Sequence, residues 1–233
     1  NAPTARADTI GNGSASFTAS NTDYISVGDV SDLDFGAGNF TVSSWIKTSS
    51  DSIMTIIGKQ DTSSGWYLYT DSGSNAIKFF HRKDNKYVQG TTNFFDGNWH
   101  HVAFVKNGAT GILYFDGQDD TASTDDISAD VDSSGDNCEI GRRMLGATDD
   151  RYFNGNIAQL GIWEAALTQA QIQEVKEKSF AELSASDKTN LVSYWTLDES
   201  VKCLSFSGST DSVSSDADDT LASVTYSWWM KAD

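Results

Sequence analysis

The chain has 233 residues, and its 33 acidic against 16 basic side chains give a net charge of −17. This charge repels nucleic-acid phosphates and anionic membrane surfaces, and no apolar stretch is long enough to cross a bilayer. Seven Trp, eight Tyr and twelve Phe provide ample material for a core. We therefore expect a soluble globular protein without nucleic-acid partners or membrane insertion.

The acidic residues are mostly aspartates, set in Ser-, Thr- and Gly-rich stretches. Short carboxylates of this kind suit turns, calcium ligation or solubility at high salt, and composition does not rank the three. Cys138 and Cys203 are too few for a zinc cluster or a disulfide framework, which leaves a single disulfide or two thiols. The N-terminus has neither an initiator Met nor a signal segment, so we expect it to be processed or truncated.

Residues 1–13 lack periodicity and predict an arm or linker. From residue 14 onward, short runs rich in β-branched and aromatic residues alternate with Asp, Gly, Ser and Asn clusters. Such runs predict the strands of an antiparallel sandwich of two sheets. They fall at 14–20, 23–27, 39–47, 53–59, 65–70, 76–83, 86–92, 98–106, 111–117, 138–143 and 152–163, and a further run follows at 190–197.

One segment has helical spacing instead of strand alternation. Leu167, Ile172, Val175 and Phe180 are spaced for one helix face, and Thr168 is followed three residues later by a Gln, as in a capping box. The pattern predicts one short α-helix at the edge of the sandwich.

The end of the chain repeats its beginning. The run FTVSSWIK at 40–47 is matched by VTYSWWMK at 224–231, which sets Trp45 opposite Trp229 and Lys47 opposite Lys231. We interpret 14–197 as one complete domain and 198–233 as the opening strands of a second, incomplete copy in a tandem array. The uncovered run containing Trp228 and Trp229 would favour pairing with further copies of the chain or with other surface proteins.

The order of these runs carries a resemblance to a known family. ASFTASNTDYISV, FTVSSWIK, IIGKQ, NWHHVAFV, ILYFDG and FNGNIAQLGIWEAALTQAQI together resemble the laminin G-like, concanavalin A-like lectin/glucanase domains of bacterial surface and bacteriophage structural proteins. The resemblance implies an all-β, antiparallel two-sheet jelly-roll sandwich with one short peripheral α-helix. Ala158 stands where the family often has an acidic residue, so the role of that carboxylate is not transferred.

The same resemblance implies a function and a location. We expect a non-catalytic carbohydrate-binding or adhesive module, extracellular or on a cell or virion surface, with a glycan or surface polysaccharide as partner. The alternative is a structural or decoration module of a phage particle or surface filament, with no ligand of its own. Glucanase relatives place paired carboxylates in a Glu-x-Asp-x-x-Glu run, which this sequence lacks, so we predict no enzyme activity.

Two groups of aspartates are candidates for calcium, the one cofactor that we expect. Asp130 and Asp132 resemble the start of an oxygen-ligand loop, but Gly141 replaces the bidentate Glu of an EF-hand, and an Asp-rich turn explains them as well. By resemblance to laminin G-like rim sites, Asp71 with Asp149 or Asp150 is the stronger candidate. His100 and His101 adjoin on one strand and face opposite ways, so we expect structural roles rather than a shared metal.

Glycan binding needs aromatic faces for sugar C–H surfaces beside planar polar groups for hydroxyls. Mixtures of this kind occur near predicted strand ends, although half of the aromatic residues in a sandwich must face the core. The candidates are Trp66, Tyr69, His81, Arg82, Asn85, Arg142, Arg151 and Tyr152. Trp45 and Trp99 lie in alternating apolar runs and are predicted to be core residues instead.

Overall fold

A computed structural model of the chain describes residues 13–132, 135–145 and 148–197, with side chains from 150 onward in the last range. Nearly all of the predicted arm at 1–13 lies outside the described residues. So do the predicted second copy at 198–233, Cys203 and the side chain of Asp149.

The described residues form sixteen strands and one α-helix. In chain order these are β1 (Ala15–Phe17), β2 (Ile25–Gly28), β3 (Phe40–Lys47), β4 (Met54–Gln60), β5 (Gly65–Asp71), β6 (Ala76–His81), β7 (Lys86–Gly90), β8 (Trp99–Asn107), β9 (Thr110–Phe115), β10 (Gln118–Asp119), β11 (Thr121–Thr124), β12 (Cys138–Ile140), β13 (Arg143–Leu145), β14 (Thr148–Asp150), β15 (Gly155–Trp163), α1 (Gln169–Glu177) and β16 (Leu191–Trp195). Every predicted run contains at least part of a strand.

Two seven-stranded sheets contain all of these strands except β13 and β14. Sheet A has the order β1-β15-β3-β8-β9-β10, with β16 also paired to β15, and sheet B has the order β11-β7-β6-β5-β4-β12-β2. The pairs are antiparallel. β13 and β14 form a separate hairpin. The all-β, two-sheet jelly-roll prediction is therefore confirmed.

The main core lies between the inner faces of the sheets. Alternation directs Phe40, Val42 and Ile46 of β3 inward, where they join Trp66 and Phe79 of sheet B in one buried cluster. The Phe40 ring lies 5.4 Å from the Trp66 ring, and Phe79 stacks on Phe104 at 3.7 Å.

The predicted helix covers the outer face of sheet A. Ile172 and Val175 of α1 pack with Ala103, Val105 and Trp163 in a second buried cluster. The predicted capping box at Thr168 is present, with the Thr168 side chain accepting from the backbone of Gln171 and the Gln171 side chain accepting from the backbone of Thr168. No helix in the described residues combines the length and apolar character needed to span a membrane.

Phe180 departs from the predicted helix face. The helix ends at Glu177 because the backbone of Lys178 is extended, and Ser179 begins a separate 3-10 turn at Phe180–Glu182 with its own capping box. Phe180 is consequently 40% exposed and lies against Tyr194 at 4.9 Å.

Candidate functional site

The outer face of sheet B has an aromatic cluster made of Tyr67, Tyr69, Phe80 and Tyr87. Strand alternation along β5 turns Trp66 and Leu68 into the core and Tyr67 and Tyr69 outward. Phe80 and Tyr87 are directly paired across β6 and β7, with ring centroids 4.7 Å apart. Tyr67 lies 4.9 Å from Tyr69 and 5.2 Å from Phe80. Tyr87 is 38% exposed, whereas the other three rings are buried.

Guanidinium groups lie over this aromatic cluster. Arg151 lies 5.6 Å from the rings of both Tyr67 and Tyr69, and its Nη1 donates a 2.8 Å hydrogen bond to the Tyr67 hydroxyl. Arg143 lies 6.0 Å from the Tyr67 ring and Arg82 lies 5.7 Å from the Phe80 ring. Planar cations are attracted to ring faces, so the cluster holds these side chains in place.

Arg151 also borders a cavity at the rim of the sandwich. This rim cavity has a volume of about 480 Å³. Three connections form its wall: the turn after β1, the loop between β3 and β4, and the loop after β14. The lining residues are Ala19, Ser20, Ser50, Ser52, Ile53, Met54, Arg151, Tyr152 and Asn154.

Hydrogen bonds join the loops of the rim cavity to one another. The Thr48 hydroxyl donates to the Asn154 carbonyl at 2.7 Å, and the Asn154 side-chain oxygen accepts from the backbone of Ala19 at 3.4 Å. The Thr70 hydroxyl donates to the Ser52 carbonyl at 2.8 Å. These contacts cross between segments far apart in sequence, so the cavity shape is set by the folded domain.

The backbone of Arg151 is itself constrained. Its φ of 54° lies in the left-handed region, which costs a non-glycine residue about 1–3 kcal/mol and is kept where surrounding structure enforces it. The enforcing contact is a 2.8 Å hydrogen bond from the backbone N–H of Thr55 to the Arg151 carbonyl. The turn points the half-buried side chain across the aromatic cluster and along the cavity.

Of the eight predicted glycan residues, only Arg151 and Tyr152 line the rim cavity. Tyr69 is on the adjoining outer face but is only 4% exposed, so it supports Arg151 and does not offer a free ring face. Burial raises the pKa of the Tyr69 hydroxyl, which therefore stays neutral.

The structure corrects the prediction that Trp66 and His81 contact a glycan. Both are buried because alternation places them on the inner face of sheet B, where Trp66 packs on Phe40 and Phe79. His81 Nε2 lies 2.9 Å from the carbonyl oxygen of Asp130. Neither ring is accessible to a glycan in this structure.

The remaining three candidates lie away from the rim cavity. Arg142 is buried, with its Nη2 3.3 Å from the carboxylate of Glu139, and it packs against the Tyr24 ring at 3.4 Å. Arg82 donates to the carbonyl of Thr62 at 3.2 Å. Asn85 is exposed in the turn between β6 and β7, with a left-handed φ of 53°.

The described calcium candidates have protein partners for their carboxylates. Asp71 is 2.8 Å from Lys78 and also accepts from Ser74; although burial opposes it, these hydrogen bonds lower the pKa of Asp71. Asp150 pairs with Arg143. Asp130 accepts from the backbone of Asp132, and Asp132 from that of Gly36. In the ranges that the structure describes, no three metal-binding acidic, His or Cys side chains converge. Calcium binding stays a prediction.

The neighbouring histidines have separate environments. His100 Nδ1 lies 3.0 Å from Asp116 and Nε2 lies 3.2 Å from Asp96, whereas His101 is buried with Nε2 2.8 Å from the Ser43 hydroxyl. Burial lowers the pKa of His101 to about 3.

Cys138 is a free, buried thiol, and burial raises its pKa. Cys203, with which a disulfide was considered, lies outside the described residues.

Comparison with solved structures places the fold among known domains. A Bacteroides ovatus protein named as a candidate carbohydrate binding protein matches with a TM-score of 0.61 and 19% identity, covering 80% of this chain and 52% of its own. The receptor binding domain of botulinum neurotoxin D matches with a TM-score of 0.53 and 21% identity, covering 70% of this chain and 43% of its own. At these identities the likeness shows the fold.

This chain thus spans about half the length of the Bacteroides ovatus protein. No curated protein sequence matches it. A family model described as the concanavalin A-like lectin/glucanases superfamily matches residues 19–173, which is well over half of the chain. The chain belongs to the concanavalin A-like lectin/glucanase superfamily.

Proposed function

We propose that the domain is a non-catalytic carbohydrate-binding module that holds a glycan in the rim cavity. The observation that carries the proposal is the meeting of Arg151 and Tyr152 in a cavity whose other walls are small, apolar or hydroxyl-bearing. Its volume of about 480 Å³ falls within the range of roughly 300–1,000 Å³ of small-ligand sites.

The wall chemistry suits a sugar ring. Ile53, which is 39% exposed, and the half-buried Tyr152 supply apolar surface for C–H groups. Ser20, Ser52 and Asn154 supply donors and acceptors for hydroxyl groups. The hydrogen bonds between the loops favour binding because less loop ordering is required when the ligand arrives.

Superfamily membership and the matched structures support this proposal. The matched Bacteroides ovatus protein is named for carbohydrate binding and the matched neurotoxin domain for receptor binding. Carried over to this chain, carbohydrate binding favours a glycan partner, and receptor binding favours a location outside the cell or on its surface.

The proposal leaves out catalysis because the sequence lacks the Glu-x-Asp-x-x-Glu run of glucanase relatives, and the setting of the strand glutamate agrees with this. Glu139 of β12 is the one glutamate on a strand among the described residues. It is buried, accepts from the Ser26 hydroxyl and is paired with Arg142. Glycoside hydrolysis needs two accessible carboxylates flanking the bond to be cleaved, and Glu139 in this setting cannot reach a substrate.

A glycan-array screen of the full chain, followed by titration of the strongest ligands, tests the proposal. Tyr152→Ala and Ile53→Ala should each weaken binding at least about fivefold, since each removes apolar contact from the cavity wall. Phe180→Ala is the matched control. Phe180 is an aromatic residue as exposed as Ile53, but it packs against Tyr194 of sheet A and does not line the cavity. Absence of any glycan ligand, or equal affinities in all variants, would overturn the proposal.

A further inference from the structure

We infer that the rim cavity selects sugars that have a carboxylate group, and that Arg151 is the residue that binds this group. The inference rests on the proposed function, because it identifies the glycan class for the same cavity. It is carried by the partners of Arg151, by the charge of the cavity wall and by the way in which the guanidinium is held.

Arg151 differs from its neighbours in having no carboxylate partner within the described part of the chain. Arg143 is paired with Asp150, and Arg142 is paired with Glu139. A guanidinium has five N–H donors, and the hydrogen bond to the Tyr67 hydroxyl uses only one on Arg151. The remaining donors can form the two parallel hydrogen bonds with which arginine recognises a carboxylate.

The charge of the cavity wall points in the same direction. Among the residues that the structure describes, no acidic side chain lines the cavity, and of the nine described lining residues only Arg151 is charged. Asp51 belongs to the loop between β3 and β4 but lies exposed outside the wall. A neutral sugar hydroxyl accepts single N–H bonds from a guanidinium, whereas a carboxylate accepts two in parallel and adds a charge–charge contact in a partly desolvated setting.

The position of the guanidinium is set before any ligand arrives. The side chain lies over the rings of Tyr67 and Tyr69, and its backbone is fixed by the Thr55 hydrogen bond. The planar fork of a guanidinium matches the two oxygens of a planar carboxylate, which accept two parallel N–H bonds. The geometry therefore points to sugars with a carboxylate, of the uronic-acid or sialic-acid type.

The experiment compares each acidic glycan with its own methyl ester, which keeps the shape and removes the charge. Oligogalacturonates and sialyllactose are titrated into the full chain by calorimetry alongside their esters. We expect the acid forms to bind at least about tenfold more tightly, with an affinity that falls as salt is raised. Arg151→Gln should remove the preference, while Arg82→Gln, which changes an arginine outside the cavity, should keep it.

The outcomes separate this inference from the proposed function. If acids and esters bind with equal affinity, or if neutral glycans bind best, the carboxylate inference is wrong and the glycan-binding proposal stands. If no glycan of either class binds, both are wrong. If Arg151→Gln fails to fold, the salt dependence of binding to the unaltered chain decides. If the affinity for the acid forms is as insensitive to salt as the affinity for the esters, the inference is wrong.

Discussion

The outer faces of the two sheets are built from similar strands but are covered by different side chains. On sheet A, α1 covers Ala103, Val105 and Trp163 with apolar side chains. On sheet B, the outward tyrosines of β5 lie under guanidinium groups, next to a cavity. A face closed by apolar contacts is expected to contribute mainly to stability, whereas we propose that the face with hydroxyls and Arg151 beside an opening contributes to binding. The variants below test whether stability and binding separate in this way.

The largest expected effect is on sheet A. Trp45 is buried on its outer face, packed on Ala158 and edge-on to His101, so Trp45→Ala should lower the free energy of unfolding by about 3–5 kcal/mol. Trp99 is only partly buried, and its loss should cost less. Tyr87→Ala on sheet B, at a residue 38% exposed, should cost about 1 kcal/mol or less. Denaturant unfolding measures all three, and equal losses would contradict the comparison.

Acid should destabilise the domain through His101. Its folded pKa of about 3, lowered by burial, is below its ordinary value of 6.5, so unfolded chains bind more protons between these values. The stabilising effect is complete above pH 6.5 and is lost progressively as pH falls, with a slope of at most about 1.4 kcal/mol per pH unit.

His101→Gln should reduce that slope. His100 acts in the opposite sense: although burial opposes it, Asp116 and Asp96 raise its pKa, so its contribution is present below its unfolded pKa and is lost as pH rises through its folded pKa. Unfolding free energies of both His→Gln variants across this pH range provide the measurement. An unchanged slope in His101→Gln would show that other groups control the acid response.

A smaller effect is expected at the Tyr67 hydroxyl. Tyr67→Phe keeps the ring of the aromatic cluster but removes the acceptor for Arg151, and should cost about 1–2 kcal/mol of stability. It should also weaken glycan binding, because the guanidinium loses one of its fixed contacts. The control is Tyr87→Phe, at a half-exposed ring of the same cluster. Identical stability and affinity in both variants would exclude a positioning role for Tyr67.

The smallest expected effect is that of calcium. An ion bound by Asp71 and Asp150 would have to compete with Lys78 and Arg143, so we expect millimolar calcium to stabilise the domain by about 1 kcal/mol or less. Melting temperatures in calcium and in chelator provide the measurement, with Asp71→Asn as the variant that should abolish any difference. A melting temperature that is equal in the two conditions would remove the calcium proposal.

The strands could be predicted because alternation and turn residues are local signals, and the capping box at Thr168 because it involves only four residues. Which face of each strand points into the core was harder to predict from the sequence. Both faces of β5 are aromatic, so its pattern did not reveal that Trp66 points inward while Tyr67 and Tyr69 point outward. Tyr67 was missed for this reason.

The cavity wall could not be predicted, because its residues Ser50, Ser52 and Ile53 meet Asn154 only through the pairing of distant strands. By contrast, the Asp71 contact with Lys78 follows from the β5–β6 hairpin and was available from the sequence. The tandem copy and self-association stay predictions, since the residues at 198–233 that suggested them lie outside the described residues. The virion location, which was inferred from the family resemblance, also stays a prediction.

The binding of a glycan in the rim cavity is tested most directly by amide chemical-shift mapping of the labelled full chain during titration with its strongest array ligand. Shifts should concentrate at 19–20, 48–54 and 151–154, where the cavity wall lies, and the amides of α1, none of which line the cavity, should serve as the internal control. Shifts that concentrate on α1 or on the turn containing Asn85, with the rim loops unaffected, would contradict the assignment of the site.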